Sequence, residues 1–379
     1  MNSAYAAYES RFDFVGSKLA SIKASGLYRQ MPIGSVSGPY IRMGSKSMIN
    51  LGSNDYLAIR SQDESISQMQ SSSRLIAGND EIYQKTEKRL SELKSMEASL
   101  IYPTGYMANL GILPVLAGRG DLVLSDSLNH ASIIQSIKIT GAQRSIYGHN
   151  DMDDLERKLQ TDARRMVIVT EGIFSMNGDA ARLTEISRLA KEYGAILVLD
   201  DAHGDFVAGG GGTPEQQNVD VDVLTSSLSK ALGSFGGYVS SRSDVIDLCI
   251  NSSKSFVYTS ALPSAVVRHT MARLDMDLEP YRRRLRHNID LFSAGLMDIG
   301  LASEPQSHII PIMTGSAGVA VRMAKQLQEM GVFVVPIRYP TVPHGMERLR
   351  LSISGWLDQD QIATSLDALR TVAIQHKLI

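Results

Sequence analysis

The sequence predicts an α/β protein: a larger domain with a mainly parallel sheet and helices on both of its faces, followed by a smaller α+β domain. Two observations predict the sheet. The run Ala195–Leu199 is apolar at every position, which is typical of a strand buried on both faces. Strand-like and helical patterns also alternate here, as they do in parallel sheets. After about Pro263 longer helical patterns and isolated strands indicate the second domain.

Each element of the larger domain follows from a local pattern. Short apolar runs predict strands, and residues at helical spacing predict the helices between them. The predicted strands are 48–51, 99–102, 122–124, 166–169, 195–199 and 221–224, and the predicted helices are 81–95, 133–139 and 183–193. Residues up to about Ser45 are predicted to form a helix and a connecting arm.

The smaller domain is predicted from the same signals. A long helical pattern covers roughly Val266–Ile299, and the helix Val319–Met330 ends at Gly331, a residue typical of helix ends. Further strands are predicted at 308–313, 332–335 and 349–353, and a closing helix at 361–372. We therefore predict an N-terminal helix and arm over 1–45, a large domain over 46–265 and a small domain over 266–379.

Composition excludes several classes of function. The net charge of −2 gives no reason to expect a nucleic acid or an anionic membrane as a partner, and the basic run Arg282–Arg286 is interpreted as the solvated face of a helix. A single cysteine, Cys249, excludes an intrachain disulfide framework and indicates a reducing cytoplasm. The first residues lack a signal-peptide pattern, and no apolar stretch is long enough to span a bilayer.

Lys230 is the first candidate for a catalytic residue. It follows the apolar run Val221–Leu224, stands among small hydroxyl residues and precedes the glycine-rich turn Gly233–Gly237. A lysine that leaves a buried strand is expected to be desolvated, and a desolvated amine loses its proton readily and forms a Schiff base with a carbonyl cofactor. The alternative is an ordinary lysine that caps a helix.

Asp200 and His203 stand together at the end of the strand 195–199. Ligands of open α/β sheets bind beyond the carboxyl ends of the strands, so both side chains are expected to face one bound ring. The carboxylate could keep a pyridine nitrogen protonated and the imidazole could donate to a phenolic oxygen, as pyridoxal 5′-phosphate (PLP) requires. A metal site is the alternative, but no HExxH motif or second clustered histidine supports it.

Further motifs occur in an order that resembles the α-oxoamine synthases, which are fold-type I PLP enzymes. They are Thr104–Asn109, Asn129–Ser132, Glu171–Asp179, Asp200–Gly204, Ser229–Gly233, Tyr339–Pro343 and Glu347–Arg350. The resemblance runs from about Gly26 to the C-terminus and rests on the order of the motifs, since any one alone is unspecific. Phe256–Pro263 and Ser229–Ser234 are most similar to biotin-pathway members, while the tail motif is nearly as similar to 5-aminolevulinate synthases.

The resemblance implies roles around the cofactor ring. Lys230 would hold PLP as a Schiff base and later move the Cα proton of the substrate. Asp200 would pair with the pyridine nitrogen, and His203 would bind the phenolic oxygen. His130 would stack on the ring face, with a core histidine as the alternative reading. Ser175 would lie near the ring, with a partner that the sequence leaves open.

The resemblance also implies how the phosphate is bound. Gly105 and Tyr106 would offer backbone N–H groups at a helix N-terminus, where an anion is favoured, and Ser227 would add a hydroxyl group. Thr259 and Ser260 would reach the phosphate of the neighbouring subunit, because these enzymes are homodimers with shared active sites. The phosphate would therefore be bound by both subunits.

Three more residues are implied at the substrate end. Arg350 would bind the substrate carboxylate, a bidentate task that suits a guanidinium group; a surface charge at a strand end is the alternative. Asn54 would assist from the N-terminal segment, and Arg29 would meet the acyl or CoA end. The substrates would be an amino acid and an acyl-CoA or acyl carrier protein thioester.

The chain departs from the family pattern at four places. Ser71–Ser73 replaces a glycine-rich lead before Arg74, and the stretch Ala58–Gln70 is shorter than the corresponding helix of the family. Tyr83 stands where the family favours histidine, and Ser354–Trp356 replaces Ala-Ala-His. The first two lie near the expected entrance of the active site, so contacts with the acyl chain or CoA depend on them.

The implied activity is a decarboxylating condensation of an amino acid with an acyl thioester, most similar to the biotin-pathway reaction. Sibling activities of the family stay open: glycine with acetyl-CoA or succinyl-CoA, and serine with a long acyl-CoA. A PLP aminotransferase and a PLP-binding scaffold without activity also stay open. A pure scaffold would need neither Lys230 nor Asp200, so the sequence favours an enzyme.

Overall fold

The computed structural model describes residues 11–24, 28, 31, 33–37, 40–49, 72–301 and 306–379. The described residues form two compact units. The first contains those up to Gly172 together with Ala181–Met276, and the second contains Ile173–Ala180 and Asp277–Ile379. The predicted segments are continuous stretches of chain, whereas the second unit takes in eight residues from the middle of the sequence. Such a pairing depends on contacts between residues that are distant in the sequence.

A helix and a small antiparallel sheet begin the first unit. Helix α1 spans Asp13–Ala24, and strands β1 (Ser35–Ser37), β2 (Tyr40–Met43) and β3 (Lys46–Ile49) pair in that order. The helix agrees with the predicted N-terminal helix. β1 and β2 lie where the sequence predicts a connecting arm, so that part of the prediction is wrong; three- and four-residue strands are too short to show a clear alternation.

A seven-stranded sheet forms the centre of the first unit. Its strands are β4 (Ala98–Tyr102), β5 (Leu122–Asp126), β6 (Gln143–Tyr147), β7 (Met166–Glu171), β8 (Ile196–Asp200), β9 (Val223–Ser227) and β10 (Gly237–Ser241). Their order is β4-β10-β9-β8-β7-β5-β6. The pairs β5–β6, β5–β7, β7–β8 and β8–β9 are parallel, and β10 is antiparallel to both of its neighbours. The predicted α/β fold with a mainly parallel sheet is confirmed.

Nine helices accompany this sheet in the described part of the first unit, in addition to α1. They are α2 (Glu81–Leu93), α3 (Gly105–Leu116), α4 (Ala131–Thr140), α5 (Met152–Leu159), α6 (Leu183–Glu192), α7 (Thr213–Gln217), α8 (Ser243–Ser252), α9 (Lys254–Val257) and α10 (Ser264–Leu274). Two N-terminal caps matter for the site. Thr104 Oγ1 accepts from the N–H of Met107 at the start of α3, and the His130 ring accepts from Ser132 at the start of α4.

The sheet brings the ends of its central strands to one edge. β5 and β8 are buried at every position, in keeping with the apolar runs Leu122–Leu124 and Ile196–Leu199 that begin them. In the parallel register Glu171 at the end of β7 pairs with Asp200 at the end of β8, and Asp200 pairs with Thr225 of β9. Polar side chains that follow different apolar runs therefore meet at one edge of the sheet.

The second unit is a small α+β structure. It contains α11 (Glu279–Asp298), β11 (Ile309–Met313), α12 (Ala317–Glu329), β12 (Val335–Ile337), β13 (Arg348–Ser352) and α13 (Gln359–Gln375). Its antiparallel sheet has the order β11-β13-β12, and a cluster of apolar side chains that includes Phe292, Leu296 and Met323 forms its core.

Two predictions for this part of the chain are wrong in detail. The helical pattern over Val266–Ile299 forms two helices, because Pro280 lies in the first turn of α11 and a proline inside a helix clashes with the preceding turn. The strand predicted at 332–335 begins at Val335, since the N–H of Val332 still bonds to Leu327 O at the end of α12. Among the described residues, no helix is both long and apolar enough to cross a membrane.

Candidate active site

A cavity lies at the carboxyl edge of the central sheet. The space inside it, part of which is open to solvent, is about 600 Å³. Seven residues predicted from the sequence line it: Gly105, Tyr106, His130, Asp200, His203, Ser227 and Lys230. The cavity therefore brings together residues from four of the predicted motifs and the last residue of β9.

Lys230 and His203 contact each other in the cavity. Lys230 Nζ lies 2.8 Å from His203 Nε2, a distance at which a protonated lysine donates to the imidazole. Lys230 is exposed, whereas the sequence predicts a desolvated lysine. The difference arises because Lys230 lies on the turn that follows β9, beyond the buried strand itself. A bound ligand in the cavity would cover this amine.

Asp200 accepts a hydrogen bond at each carboxylate oxygen. Its Oδ1 accepts from the N–H of Ala202 at 3.0 Å, and its Oδ2 accepts from Asn109 Nδ2 at 2.6 Å. The carboxylate is only 7% exposed, so these bonds compensate for the water that burial removes. The arrangement presents a fixed negative charge at the end of β8.

His130 lies at the start of α4 with its ring at the cavity. Burial lowers the pKa of His130, the charge of Lys230 lowers it further, and the Asp200 carboxylate opposes both effects. The ring of Tyr106 meets the His130 ring edge to face, with 6.4 Å between the ring centroids. The imidazole is therefore favoured in its neutral form, which suits a group that lies against an aromatic cofactor.

The N-terminus of α3 lines the same cavity. Gly105 and Tyr106 are its first two residues, and their backbone N–H groups have no acceptor in the preceding turn of the helix. A Cβ atom at Gly105 would lie 3.2 Å from Ser226 O and from Ser227 Cβ, so glycine lets the helix approach the end of β9 closely. One strand end and one helix end thus lie side by side where the sequence predicts an anion site, with Ser227 beside the helix.

Asn109 is a residue of this site that the sequence prediction did not single out. It lies in α3, is 3% exposed and binds the side chains of Asp200, Ser132 and Thr225. The motif Thr104–Asn109 contains it, but nothing in the local sequence shows that its partners lie 91 and 116 residues away. Glu171, which accepts from the N–H of His130 at 2.5 Å, was missed for the same reason.

Ser175 and Arg350 belong to the second unit. Arg350 Nε donates to the Ser175 carbonyl at 2.6 Å, and the Arg350 side chain is half-buried in β13. This bond uses Nε and leaves both terminal amino groups of the guanidinium for a ligand. Next to it, Arg348 bonds to the side chain of Asn177 and lies in the same strand. The described contacts therefore hold Arg350 in place through Nε alone.

Thr259 and Ser260 lie in the first unit beside a second, smaller hollow of about 220 Å³, together with Arg74 and Tyr83. Their expected contact with a partner's phosphate stays a prediction. Arg29 and Asn54 fall outside the described residues, as does the shortened stretch 58–70.

Tyr83 has a structural place in the first unit. Its hydroxyl donates to Leu262 O at 2.8 Å, and the Arg74 guanidinium lies 4.0 Å from the centroid of its ring. Burial raises the pKa of Tyr83 well above its ordinary value. In this chain the departure from the family's histidine thus gives a buried tyrosine that packs under the Arg74 side chain.

The chain is similar to known proteins over most of its length. The model of the family "Aminotransferase class I and II" matches residues 46–369. The 8-amino-7-oxononanoate synthase of Geobacter sulfurreducens is 38% identical, over 94% of this chain and 97% of the relative. The enzyme of the same name from Citrifermentans bemidjiense is 39% identical, over 89% and 92% of the two chains.

Solved structures agree with this assignment. Serine palmitoyltransferase from S. paucimobilis with a bound PLP–myriocin aldimine has a TM-score of 0.80 and 27% identity, over 98% of this chain and 99% of the other. The 8-amino-7-oxononanoate synthase of Francisella tularensis has a TM-score of 0.70 and 26% identity, over 79% and 89%. Fold, cavity and relatives together define a fold-type I, PLP-dependent class of transferase.

Within that class, the chain belongs to the aminotransferase class I and II family and, inside it, to the α-oxoamine synthases. The predicted family, fold class, cofactor and enzyme class are confirmed. The substrates of this class are an amino acid and an acyl thioester.

Proposed function

We propose that the cavity at Lys230 binds PLP and that the chain condenses L-alanine with a pimeloyl thioester to form 8-amino-7-oxononanoate in biotin biosynthesis. The observation that carries the cofactor assignment is the 2.8 Å contact between Lys230 Nζ and His203 Nε2. The aldehyde and the phenolic oxygen of PLP stand on adjacent ring carbons, so two neighbouring groups of this kind match them. The residues present therefore fit the cofactor.

Each residue of the cavity has a place in this assignment. Lys230 would bind the aldehyde carbon and His203 the phenolic oxygen, while the Asp200 carboxylate would accept a hydrogen bond from the protonated pyridine nitrogen. His130 would lie against the ring, and the N-terminus of α3 with Ser227 would bind the phosphate. When bound, PLP supplies an electron sink for the negative charge that develops at the Cα of the amino acid.

The protein groups then move and place protons. Lys230 Nζ, once released by the incoming amino acid, would remove the Cα proton and later return one to the same carbon. Between these steps a carbon–carbon bond forms to the acyl carbon, the thiol leaves, and the carboxylate departs as CO₂. The Asp200 carboxylate would keep the ring nitrogen protonated, and the positive charge of the ring would stabilise the negative charge that develops at Cα near neutral pH.

The proposed substrates are inferred from Arg350 and from the similar proteins. Arg350 would bind the substrate carboxylate with its terminal amino groups, as its Nε-only bond to Ser175 permits. Alanine and the pimeloyl thioester are chosen because curated relatives at 38–39% identity are 8-amino-7-oxononanoate synthases. We place the enzyme in the cytoplasm as a homodimer, with Thr259 and Ser260 reaching the partner's phosphate.

A thiol-release assay on the PLP-loaded protein tests this function. Alanine, glycine and serine are each offered with pimeloyl-, acetyl-, succinyl- and palmitoyl-CoA, and alanine also with a pimeloyl carrier protein. We expect thiol release with alanine and a pimeloyl donor, and its loss in Lys230→Ala. Release with another pair would identify a sibling synthase; serine with palmitoyl-CoA is the strongest rival, because serine palmitoyltransferase matches 98% of the chain.

Two further outcomes would contradict the proposal. Conversion of a keto acid without thiol release would identify an aminotransferase. A yellow, PLP-bearing protein that releases thiol with no pair, including the carrier-protein donor, would leave the chain as a PLP-binding scaffold.

A further inference from the structure

Asn109 contacts both the carboxylate of Asp200 and the hydroxyl group that binds His130. Its Nδ2 donates to Asp200 Oδ2 at 2.6 Å and to Ser132 Oγ at 2.9 Å, so both amide hydrogens are used. Its Oδ1 accepts from Thr225 Oγ1 at 2.7 Å. One buried amide thus joins α3, α4, β8 and β9 at the floor of the cavity.

The orientation of this amide follows from its neighbours. If the oxygen and nitrogen of Asn109 were exchanged, Oδ1 would face Asp200 Oδ2 at 2.6 Å. Neither an amide oxygen nor a carboxylate oxygen carries a hydrogen to donate, so the two atoms would repel each other. The observed orientation makes Asp200 an acceptor at Oδ2, and the N–H of Ala202 makes it an acceptor at Oδ1. Two N–H donors favour a carboxylate over a carboxylic acid, which is the form that a protonated pyridine needs.

The same amide sets the direction of the next hydrogen bond. Ser132 Oγ accepts from Asn109, so its own hydrogen is available for His130 Nδ1, 2.8 Å away. The backbone N–H of Ser132 also points at His130 Nδ1, at 3.3 Å. Both donors require a lone pair on Nδ1, and a neutral His130 must then carry its proton on Nε2.

We infer that Asn109 is a positioning residue, which orients the Asp200 carboxylate and, through Ser132, holds His130 in the tautomer with the proton on Nε2. The inference rests on the proposed function only for the identity of the ring that Asp200 and His130 bind. The hydrogen-bond directions themselves come from this chain's own residues. They exist before any cofactor is bound, so they are open to a test without one.

The test compares two variants in which an asparagine is replaced by aspartate. Asn109→Asp places a second carboxylate against Asp200, so one of the two must take up a proton, and it gives the Ser132 hydroxyl a new acceptor in place of His130. Asn251→Asp is the matched control, because Asn251 is also buried and also donates to an aspartate, Asp247. Asn109→Ala removes the donor without adding a charge.

Nitrogen NMR of the full-length protein with labelled histidines gives the direct readout. We expect the wild-type His130 to carry its proton on Nε2. In Asn109→Asp we expect protonation of His130 to begin at least one pH unit higher, with no change in Asn251→Asp. Asp200 and Lys230 face His130 in every variant, so the difference isolates residue 109. A wild-type His130 with its proton on Nδ1 would overturn the inference.

PLP binding gives a second readout. We expect Asn109→Asp and Asn109→Ala to bind PLP roughly ten- to a hundredfold more weakly, because a buried carboxylate has lost a donor, and Asn251→Asp to bind it normally. Folded Asn109 variants with wild-type PLP affinity and an unchanged His130 titration would also overturn the inference. A wild-type protein that binds no PLP would instead refute the proposed function, and the NMR comparison would still decide the role of Asn109.

Discussion

Asp200 and Asp201 are neighbours in the sequence, yet their carboxylates lie in opposite surroundings. Asp200 lines the cavity and accepts from Asn109 and Ala202. Asp201 is fully buried and accepts from the N–H and the hydroxyl of Thr213. Successive residues at a strand end point to different sides of the sheet, so the motif places the Asp200 carboxylate at the cavity and the Asp201 carboxylate inside the protein.

The surroundings of Asp201 form a second polar cluster, which we call the enclosed cluster: Lys94, Asp201, Asp205, Thr213 and Tyr238. Lys94 forms a fully buried ion pair with Asp205, and Tyr238 donates to Asp205 at 2.5 Å. Burial and the nearby Asp205 charge raise the pKa of Asp201 to about 7. The charges of the enclosed cluster therefore pair within the protein, whereas the Asp200 carboxylate lies at the cavity, where we propose that it binds a ligand.

Removal of Lys94 should have the largest effect on stability. Lys94→Met would leave Asp205 buried without its cation, and we expect a loss of about 3–5 kcal/mol in the free energy of unfolding. Urea denaturation measures it. Lys88→Met is the matched control: Lys88 and Glu92 are an exposed pair 3.9 Å apart, and we expect a change of at most about 1 kcal/mol. Equal losses in the two variants would contradict the enclosed cluster's role.

Asp200→Asn should have a large effect on activity and a smaller effect on stability than Lys94→Met. A neutral amide does not keep a pyridine nitrogen protonated, so we expect thiol release to fall by about 10²- to 10³-fold, measured as kcat/KM. Asparagine keeps only one of the two acceptor oxygens of Asp200, so we expect the free energy of unfolding to fall by about 1–3 kcal/mol. Activity within a few-fold of wild type would show that the reaction does not need the Asp200 carboxylate.

Asp201→Asn should change the pH dependence of stability and leave activity within a few-fold of wild type. Because the folded pKa of Asp201 is raised to about 7, the folded protein holds a proton between about pH 4 and 7 that the unfolded chain has released. Its contribution to stability is therefore fully present at low pH and falls as the pH rises through this window. Asparagine mimics the protonated carboxyl group and should remove that slope.

Urea denaturation at pH 5, 6, 7 and 8 measures the slope for both proteins. We expect the wild type to lose on the order of a few kcal/mol relative to the variant between pH 5 and 8. Parallel pH profiles for the two proteins would show that Asp201 is ionised throughout and would remove this difference between the neighbouring carboxylates.

Local sequence predicted much of this structure because local patterns determine it. The buried strands β5 and β8 begin with the apolar runs Leu122–Leu124 and Ile196–Leu199. Lys230, Asp200, His203 and His130 each follow an apolar run or belong to a recognisable motif. Parallel pairing then brings strand ends together without further information. Lys230, Asp200 and His203 could therefore be predicted from the positions of the strands, whereas His130 was predicted from the family resemblance.

The remaining features depend on contacts that the sequence does not display. β6 is an edge strand with two exposed polar residues at its start, Gln143 and Arg144, so it lacks an apolar run. Asn109 and Asp201 each stand in a predicted motif, but their roles come from partners such as Thr225 and Asp205 that the fold supplies. Residues that act through partners distant in the sequence were therefore missed.

Borohydride reduction of the PLP-loaded protein, followed by peptide mass mapping, tests the central claim most directly. The account predicts one added phosphopyridoxyl group per chain, located on Lys230, and none in Lys230→Ala. A stable group on another lysine, or none on the wild-type protein, would contradict the assignment of this cavity as the PLP site.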